Sequence, residues 1–266
     1  AAITAAKQRF THGPIEILYA GCGPFATLLL PLLGKFNPHE LVVHCLDIHQ
    51  RSLDSVALLT RNFGLQKHRI SYLQDDACSY KHPSNPHVII TETMQKSLEQ
   101  EPQFAVTANL APQLHGRGTF IPQRIEVALC LAKLEEETAA FQRGNAPDPN
   151  ALAEAGKRHP LSTVLRLTPE NAASLKQQAF QNSHGLLELN PMQVTIPATA
   201  DLHNFEAVLF TRIRAFEQHW LLDYESEITL PLRCRELTPL QAGDRYRISL
   251  QIGSYPRFSV TRLRDG

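Results

Sequence analysis

Short apolar runs that each end in polar or glycine residues recur through the first 122 residues of the chain. Ile15, Ile17, Leu18, Tyr19 and Ala20 form the first run, and its continuity reads as a strand buried on both faces. Gly21 and Gly23 break it before a leucine-rich stretch (Leu28, Leu29, Leu30, Leu32, Leu33) that predicts a helix. Residues 41–46 read as a second strand ending at Asp47, and Leu53, Val56, Ala57, Leu59 and Phe63 recur at helical spacing before Gly64. A third strand over 69–73 runs into Asp75, Asp76 and Ala77; a fourth over 86–91 ends at Glu92. A helix over 104–114 and a strand over 118–122 close this part, and residues 1–14 read as a helix or a loose lead-in. Strands alternating with helices predict a parallel sheet, whose ligands sit beyond the carboxyl ends of the strands. Gly21, Gly23, Asp47, Asp76 and Glu92 are thereby expected along one edge.

Beyond Gln123 the pattern changes. An apolar run covers 125–134, and residues 135–185 are polar and partly helical in composition, broken at Asn145, Ala146, Pro147, Asp148 and Pro149. Strand candidates follow at 193–196, 206–214, 226–232, 246–252 and 257–261, with turns between them. The expected fold is α/β: a Rossmann-like domain at 1–122, then an antiparallel β-barrel-like domain at 123–266 that carries a partly helical insertion at about 135–185.

Composition narrows the function. Lysine plus arginine balance aspartate plus glutamate at 26 each among 266 residues, so neither nucleic acid nor an anionic membrane surface is expected as a partner. Five scattered cysteines without a C-x-x-C pair argue against a disulfide framework and a zinc knuckle, and no metal ligand set is expected. With no long apolar span and no apolar signal core, the expected location is the cytoplasm.

Residues 21–26 satisfy the G-x-G-x-x-G/A pattern of dinucleotide binders, so the first turn alone leaves the cofactor open. Asp47, followed by Ile48, suits the ribose hydroxyls of either a dinucleotide or S-adenosylmethionine. The pair Asp76 and Ala77 after the third strand resembles methyltransferases, whose aspartate there accepts a bond from the adenine amino group. The expected S-adenosylmethionine site comprises Gly21, Cys22, Gly23, Pro24, Asp47, Ile48, Asp76, Ala77 and Glu92.

Glu92, Met94 and Glu101 complete a second pattern. Two carboxylates nine positions apart, with E-x-M at the first, resemble the double-E loop of the protein arginine methyltransferases. The resemblance continues through residues 118–122, similar to the strand that leads into that family's barrel, and through Gln218, His219 and Trp220, similar to its Thr-His-Trp loop. It implies Glu92 and Glu101 as the acids that grip a guanidinium, His219 holding the site together and passing on the proton, Trp220 walling the substrate, and Met94 beside the methyl donor. The implied substrate is an arginine-containing protein. A small guanidine or amine metabolite, or a non-catalytic binding role on the same fold, stays open.

The chain departs from the family in three places. Tyr19 stands where the family has an acid, so one hydrogen-bonding partner of the glycine loop is expected to be missing. The family's lid helix with paired tyrosines is not visible in residues 1–14. Residues 135–185 stand where its dimerisation arm would be without matching the arm's composition, which leaves a homodimer open.

Overall fold

The structure, a computed structural model, describes residues 1–263 apart from 146, 190, 199–201 and 254. The chain divides into two compact units: Ala1–Thr93, Gln103–Gln123 and Thr168–Ala173 form the first, and Met94–Pro102, Arg124–Leu167 and Ser174–Gly266 the second. No helix among the described residues is long and apolar enough to cross a membrane.

The first unit carries α1 (Ala2–Arg9), β1 (Ile15–Ala20), α2 (Leu30–Leu33), β2 (Leu41–Asp47), α3 (Gln50–Asn62), β3 (Arg69–Gln74), β4 (Val88–Thr91), α4 (Gln103–Leu110) and β5 (Thr119–Ile121). The strands form one parallel sheet in the order β3-β2-β1-β4-β5, so the winding reverses between β1 and β4. Both faces are covered, which is why the strands read as continuous apolar runs. Ile15, Ile17, Tyr19, Val43, Cys45 and Val88 pack on one side with Leu30, Leu33, Leu53 and Val56. Leu18, Ala20, Leu46 and Ile89 pack on the other with Val106 and Leu110 of α4.

Residues 1–14 resolve as a helix, with Ala2, Ile3 and Ala6 buried. The leucine-rich stretch, by contrast, yields only the four-residue α2. Ala26 adopts φ +43° before it and Phe25, Leu28 and Leu32 stay 62%, 45% and 38% exposed. Prolines at 24 and 31 remove backbone donors from this stretch, so the leucine spacing never becomes a long helix.

The second unit is antiparallel. It contains β6 (Arg124–Ala132), α5 (Leu134–Gln142), α6 (Pro149–Glu154), β7 (Arg158–Leu167), most of α7 (Ala172–Gln177), β8 (Phe180–Gln181), β9 (Leu187–Glu188), β10 (Met192–Thr195), β11 (Glu206–Phe216), β12 (His219–Leu221), β13 (Leu232–Arg233), β14 (Arg245–Ile252) and β15 (Arg257–Leu263). One sheet runs β12-β11-β6-β7 with β13 on β11; the other runs β10-β14-β9-β8 with β15 on β14. Two expectations change. The stretch expected as a helical insertion contains the ten-residue β7, whose two register shifts against β6 and whose Pro160 blur its alternation. Of the strand expected over 226–232, only Leu232 is in a strand, β13; residues 227–229 form a capped 3-10 turn, because Ser226 and Thr229 bond each other's backbone. Ala146, within the expected break, lies outside the described residues.

Candidate active site

The reversal of strand order places the carboxyl ends of β1 and β4 side by side, the position where open α/β sheets bind ligands. Gly21 follows β1 at φ +71°, and a Cβ on it would stand 2.4 Å from the Glu92 carbonyl oxygen and 2.4 Å from Thr93 Cγ2. Its glycine is therefore demanded by the chain leaving β4. Gly23, at φ +57°, has nothing within 4 Å of where a Cβ would point, so the open space of the turn lies there. Its N–H donates to Asp47 Oδ2 at 2.9 Å, while His49 N–H donates to Asp47 Oδ1 at 2.9 Å. Each carboxylate oxygen offers about two acceptor positions, so Asp47, 7% exposed, keeps capacity for a ligand diol.

The other expected cofactor residues divide by what their side chains do. Cys22 turns inward: it is a free, buried thiol, and a hydrogen bond with the Cys45 thiol, then burial, push its pKa up. Only its backbone is left for a ligand. Pro24 and Ile48 are exposed at the edge. Asp76 is exposed and shapes the turn after β3, its Oδ1 accepting from Cys78 N–H at 2.8 Å and its carbonyl from Tyr80 N–H at 2.8 Å. Ala77 is buried, its carbonyl receiving the Asn109 amide at 2.9 Å. Asp75 N–H donates to the Asp47 carbonyl at 3.2 Å, tying the ends of β2 and β3 together.

Tyr19 is buried, and burial first, then the Glu92 charge, raises the pKa of its phenol, with Leu28 N–H and the Thr27 hydroxyl acting the other way. Its polar neighbours are thus residues 27–28, beyond the glycine turn.

Glu92 leaves β4 with its N–H donating to the Ala20 carbonyl at 3.1 Å, and belongs to the first unit. Glu101 belongs to the second, where it accepts from Gln95 Nε2 at 3.1 Å. Met94 is buried in that unit. Between the glutamates, Ser97 N–H donates to Thr211 Oγ1 at 3.0 Å and Gln100 N–H to the Pro256 carbonyl at 2.8 Å. Gln103, fully buried, was not foreseen as a site residue; it begins the helix expected from residue 104. Its Oε1 accepts from Thr93 N–H at 3.2 Å and from the Thr93 hydroxyl at 2.8 Å, and its Nε2 donates to Thr91 Oγ1 at 2.8 Å. It fixes the chain on both sides of Glu92.

His219 and Trp220 lie on β12 of the second unit. His219 is exposed, and its ring makes no hydrogen bond among the described residues. Trp220 lies against two guanidinium groups, with Arg124 at 5.7 Å and Arg214 at 5.9 Å from its ring centre.

These elements define a protein arginine methyltransferase-like fold. The chain aligns over 99% of its length with 94% of a chain in the Trypanosoma brucei PRMT1 enzyme–prozyme heterotetrameric complex with AdoHcy, at TM-score 0.54 and 12% identity. It aligns over 94% of its length with 83% of Arabidopsis thaliana protein arginine methyltransferase 10 in a uniquely open conformation, at TM-score 0.52 and 12% identity. No protein-family model matches the sequence, and no curated protein matches it.

Proposed function

We propose that the chain is an S-adenosylmethionine-dependent N-methyltransferase acting on an arginine-like guanidine, with Glu92 and Glu101 holding the guanidinium. The observation that carries this reading is the edge at β1 and β4: open space at Gly23, the Asp47 carboxylate bonded beside it, and Glu92 on the chain that crosses Gly21. A relative in fold was solved with AdoHcy, the demethylated form of the same cofactor. Asp47 would take the ribose diol and Asp76 the adenine amine. When bound, the cofactor supplies an electrophilic sulfonium methyl.

The chain's own task is to orient a poor nucleophile. A guanidinium holds its proton to a pKa above about 12 and presents paired N–H donors that fit carboxylates in a fork. Glu92 and Glu101 draw positive charge towards the nitrogens they hold, which leaves more lone-pair character on the remaining one. Alignment then supplies much of the rate. His219 accepts the released proton, Trp220 walls the substrate and Met94 packs beside the methyl donor.

The test incubates the protein and S-adenosylmethionine with arginine-containing peptides and proteins, free arginine and simple guanidines, read by mass spectrometry. A gain of methyl mass on a guanidine is expected, reduced about 100-fold or more in Glu92→Gln and in Glu101→Gln while calorimetric S-adenosylhomocysteine binding persists. Full activity in both variants sinks the proposal. Methylation of free arginine alone moves the substrate to a small metabolite, and binding without any transfer supports a non-catalytic role.

A further inference from the structure

Away from that edge, three side chains of the first unit converge: Glu16 near the start of β1, His44 in the middle of β2 and His82 on the chain between β3 and β4. One ligand-capable atom of each lies within 4.8 Å of the others. Glu16 and His44 continue, towards the amino ends, the side-chain rows that Leu18 and Leu46 occupy in the core against α4, so they are fixed by the sheet itself.

The polar atoms are arranged for a cation. His44 Nε2 is 3.1 Å from Glu16 Oε1, and His82 Nε2 is 4.0 Å from the same oxygen. Tetrahedral zinc with bonds of about 2.0–2.2 Å sets its ligand atoms roughly 3.3 Å apart, so the His82 ring, 4.0 Å from Glu16 Oε1 within a set spanning up to 4.8 Å, has to move by roughly 0.7–1.5 Å to complete it. His82 supplies the second observation. Its side chain is 0% exposed, and its Nε2 has no hydrogen-bond partner. A buried polar nitrogen left in that state is costly, and here it is aimed at a carboxylate and a second imidazole.

The outer contacts also suit metal ligation, in which each histidine donates its other ring N–H outward. His44 Nδ1 is 2.7 Å from Ser71 Oγ, whose own proton has the Val43 carbonyl as acceptor at 3.3 Å. His44 Nε2 is itself hydrogen-bonded to Glu16 Oε1 at 3.1 Å, a bond that a cation between the two would replace. His82 Nδ1 lies 3.0 Å from Ser84 Oγ, which can accept its proton, and it also receives the Ser84 N–H at 3.3 Å, a contact that ligation through Nε2 has to give up. Glu16 and His44 keep 23% and 18% of their side-chain surface, so an ion can reach the site from solvent.

We propose that Glu16, His44 and His82 bind a divalent metal of the zinc class through two imidazole nitrogens and one carboxylate oxygen, water taking the fourth position. The metal ties the connection between β3 and β4 to the sheet. The site is remote from the carboxyl edge and does not depend on the methyltransferase reading.

The test is calorimetric titration of the metal-stripped full chain with zinc chloride, with Co²⁺ as spectroscopic probe. One equivalent is expected to bind, with visible Co²⁺ bands of a four-coordinate N/O site and no sulfur-to-cobalt charge-transfer band, which excludes the cysteines. His82→Ala, and separately Glu16→Gln and His44→Gln on the partly exposed ligands, should weaken binding about 100-fold or more, and Ser71→Ala about 10-fold. Zinc should raise the melting temperature of the parent and not of these variants. Failure of the parent to bind at micromolar zinc, identifying a hydrogen-bonded triad only, overturns the proposal. So does unchanged affinity in both Glu16→Gln and His44→Gln.

Discussion

Gly21 and Gly23 share a left-handed backbone, but only Gly21 has its side-chain space filled, so alanine at each position separates two costs. At Gly23, φ +57° with open surroundings, the conformational penalty is roughly 1–2 kcal/mol for an L-residue, offset by roughly 0.4–1 kcal/mol from the stiffer unfolded chain. The net loss is about 1 kcal/mol. At Gly21 the same penalty applies, and the new Cβ also meets the Glu92 carbonyl oxygen and Thr93 Cγ2 at 2.4 Å. Carbon contacts settle near about 3.5 Å, so the chain leaving β4 must shift by about 1 Å, a strain of the overpacking kind worth roughly 1–3 kcal/mol. Gly21→Ala should therefore cost about 2–4 kcal/mol in total. Urea unfolding of the two variants, followed by a probe of the first unit, measures the difference. Because the displaced atoms belong to Glu92 and Thr93, the proposed methyl transfer should fall further in Gly21→Ala than in Gly23→Ala at equal folded fraction. Stabilities within about 0.5 kcal/mol of each other would refute the reasoning, because steric crowding by the β4 exit would then have no energetic weight.

Three further perturbations address the framework. Arg158 is buried with Glu137 and Asp223, bonding Glu137 Oε1 at 3.1 Å and Oε2 at 2.6 Å and also Asp223. Arg158→Met leaves the buried Glu137 without its ion pair and Asp223 with Arg212 alone, at 3.0 Å, and should cost about 3–5 kcal/mol by chemical denaturation; a loss below about 1 kcal/mol would show the cluster to be hydrated. Glu188 is buried, which alone raises its pKa, but bonds from Ser249, Asn182 and Gln251 and the charge of Arg247 outweigh this and hold it below the usual carboxylate range. The resulting stability is present above about pH 4.3 and fades as pH falls through the lowered value, so Glu188→Gln should flatten the acid limb of a melting-temperature profile; an unchanged limb counts against it. Gln103→Leu leaves the Thr93 N–H and two threonine hydroxyls without their partner, at about 1–3 kcal/mol, and should lower transfer more than stability requires; parent-like activity would remove its positioning role.

The parallel sheet was legible because burial on both faces writes its central strands as mostly apolar runs, as in Ile17 to Ala20 and Val88 to Ile90. The antiparallel part was harder. β7 hides behind two register shifts, and β8, β9 and β13 have two residues each, too short for a period to show. At the candidate site, Gly23 and Asp47 could be read as a pair because each ends its own strand. The surroundings of Tyr19 could not, because a tyrosine in place of an acid does not say that residues 27–28 face its phenol. Glu16, His44 and His82 were equally silent, since residues 28 and 38 positions apart in sequence meet only through strand register and a loop.

The stretch between the two glutamates shows why local sequence alone does not set a loop's shape. Ser97, Leu98 and Gln100 adopt φ of +55°, +58° and +67°, values that glycine takes freely and these residues do not. Strain of this kind, of order 1–3 kcal/mol per residue, persists only where surroundings over-determine the backbone. Those surroundings are present: Thr211 receives Ser97, Pro256 receives Gln100, and Phe258 N–H reaches the Glu99 carboxylate at 3.4 Å. Glu92 is fixed independently, through Ala20 and through the grip of Gln103 on Thr91 and Thr93. Each carboxylate is thus carried on backbone whose conformation is set by partners outside the loop. If the two glutamates hold a guanidinium as proposed, each of them needs that rigidity, since alignment rather than acidity would be their contribution.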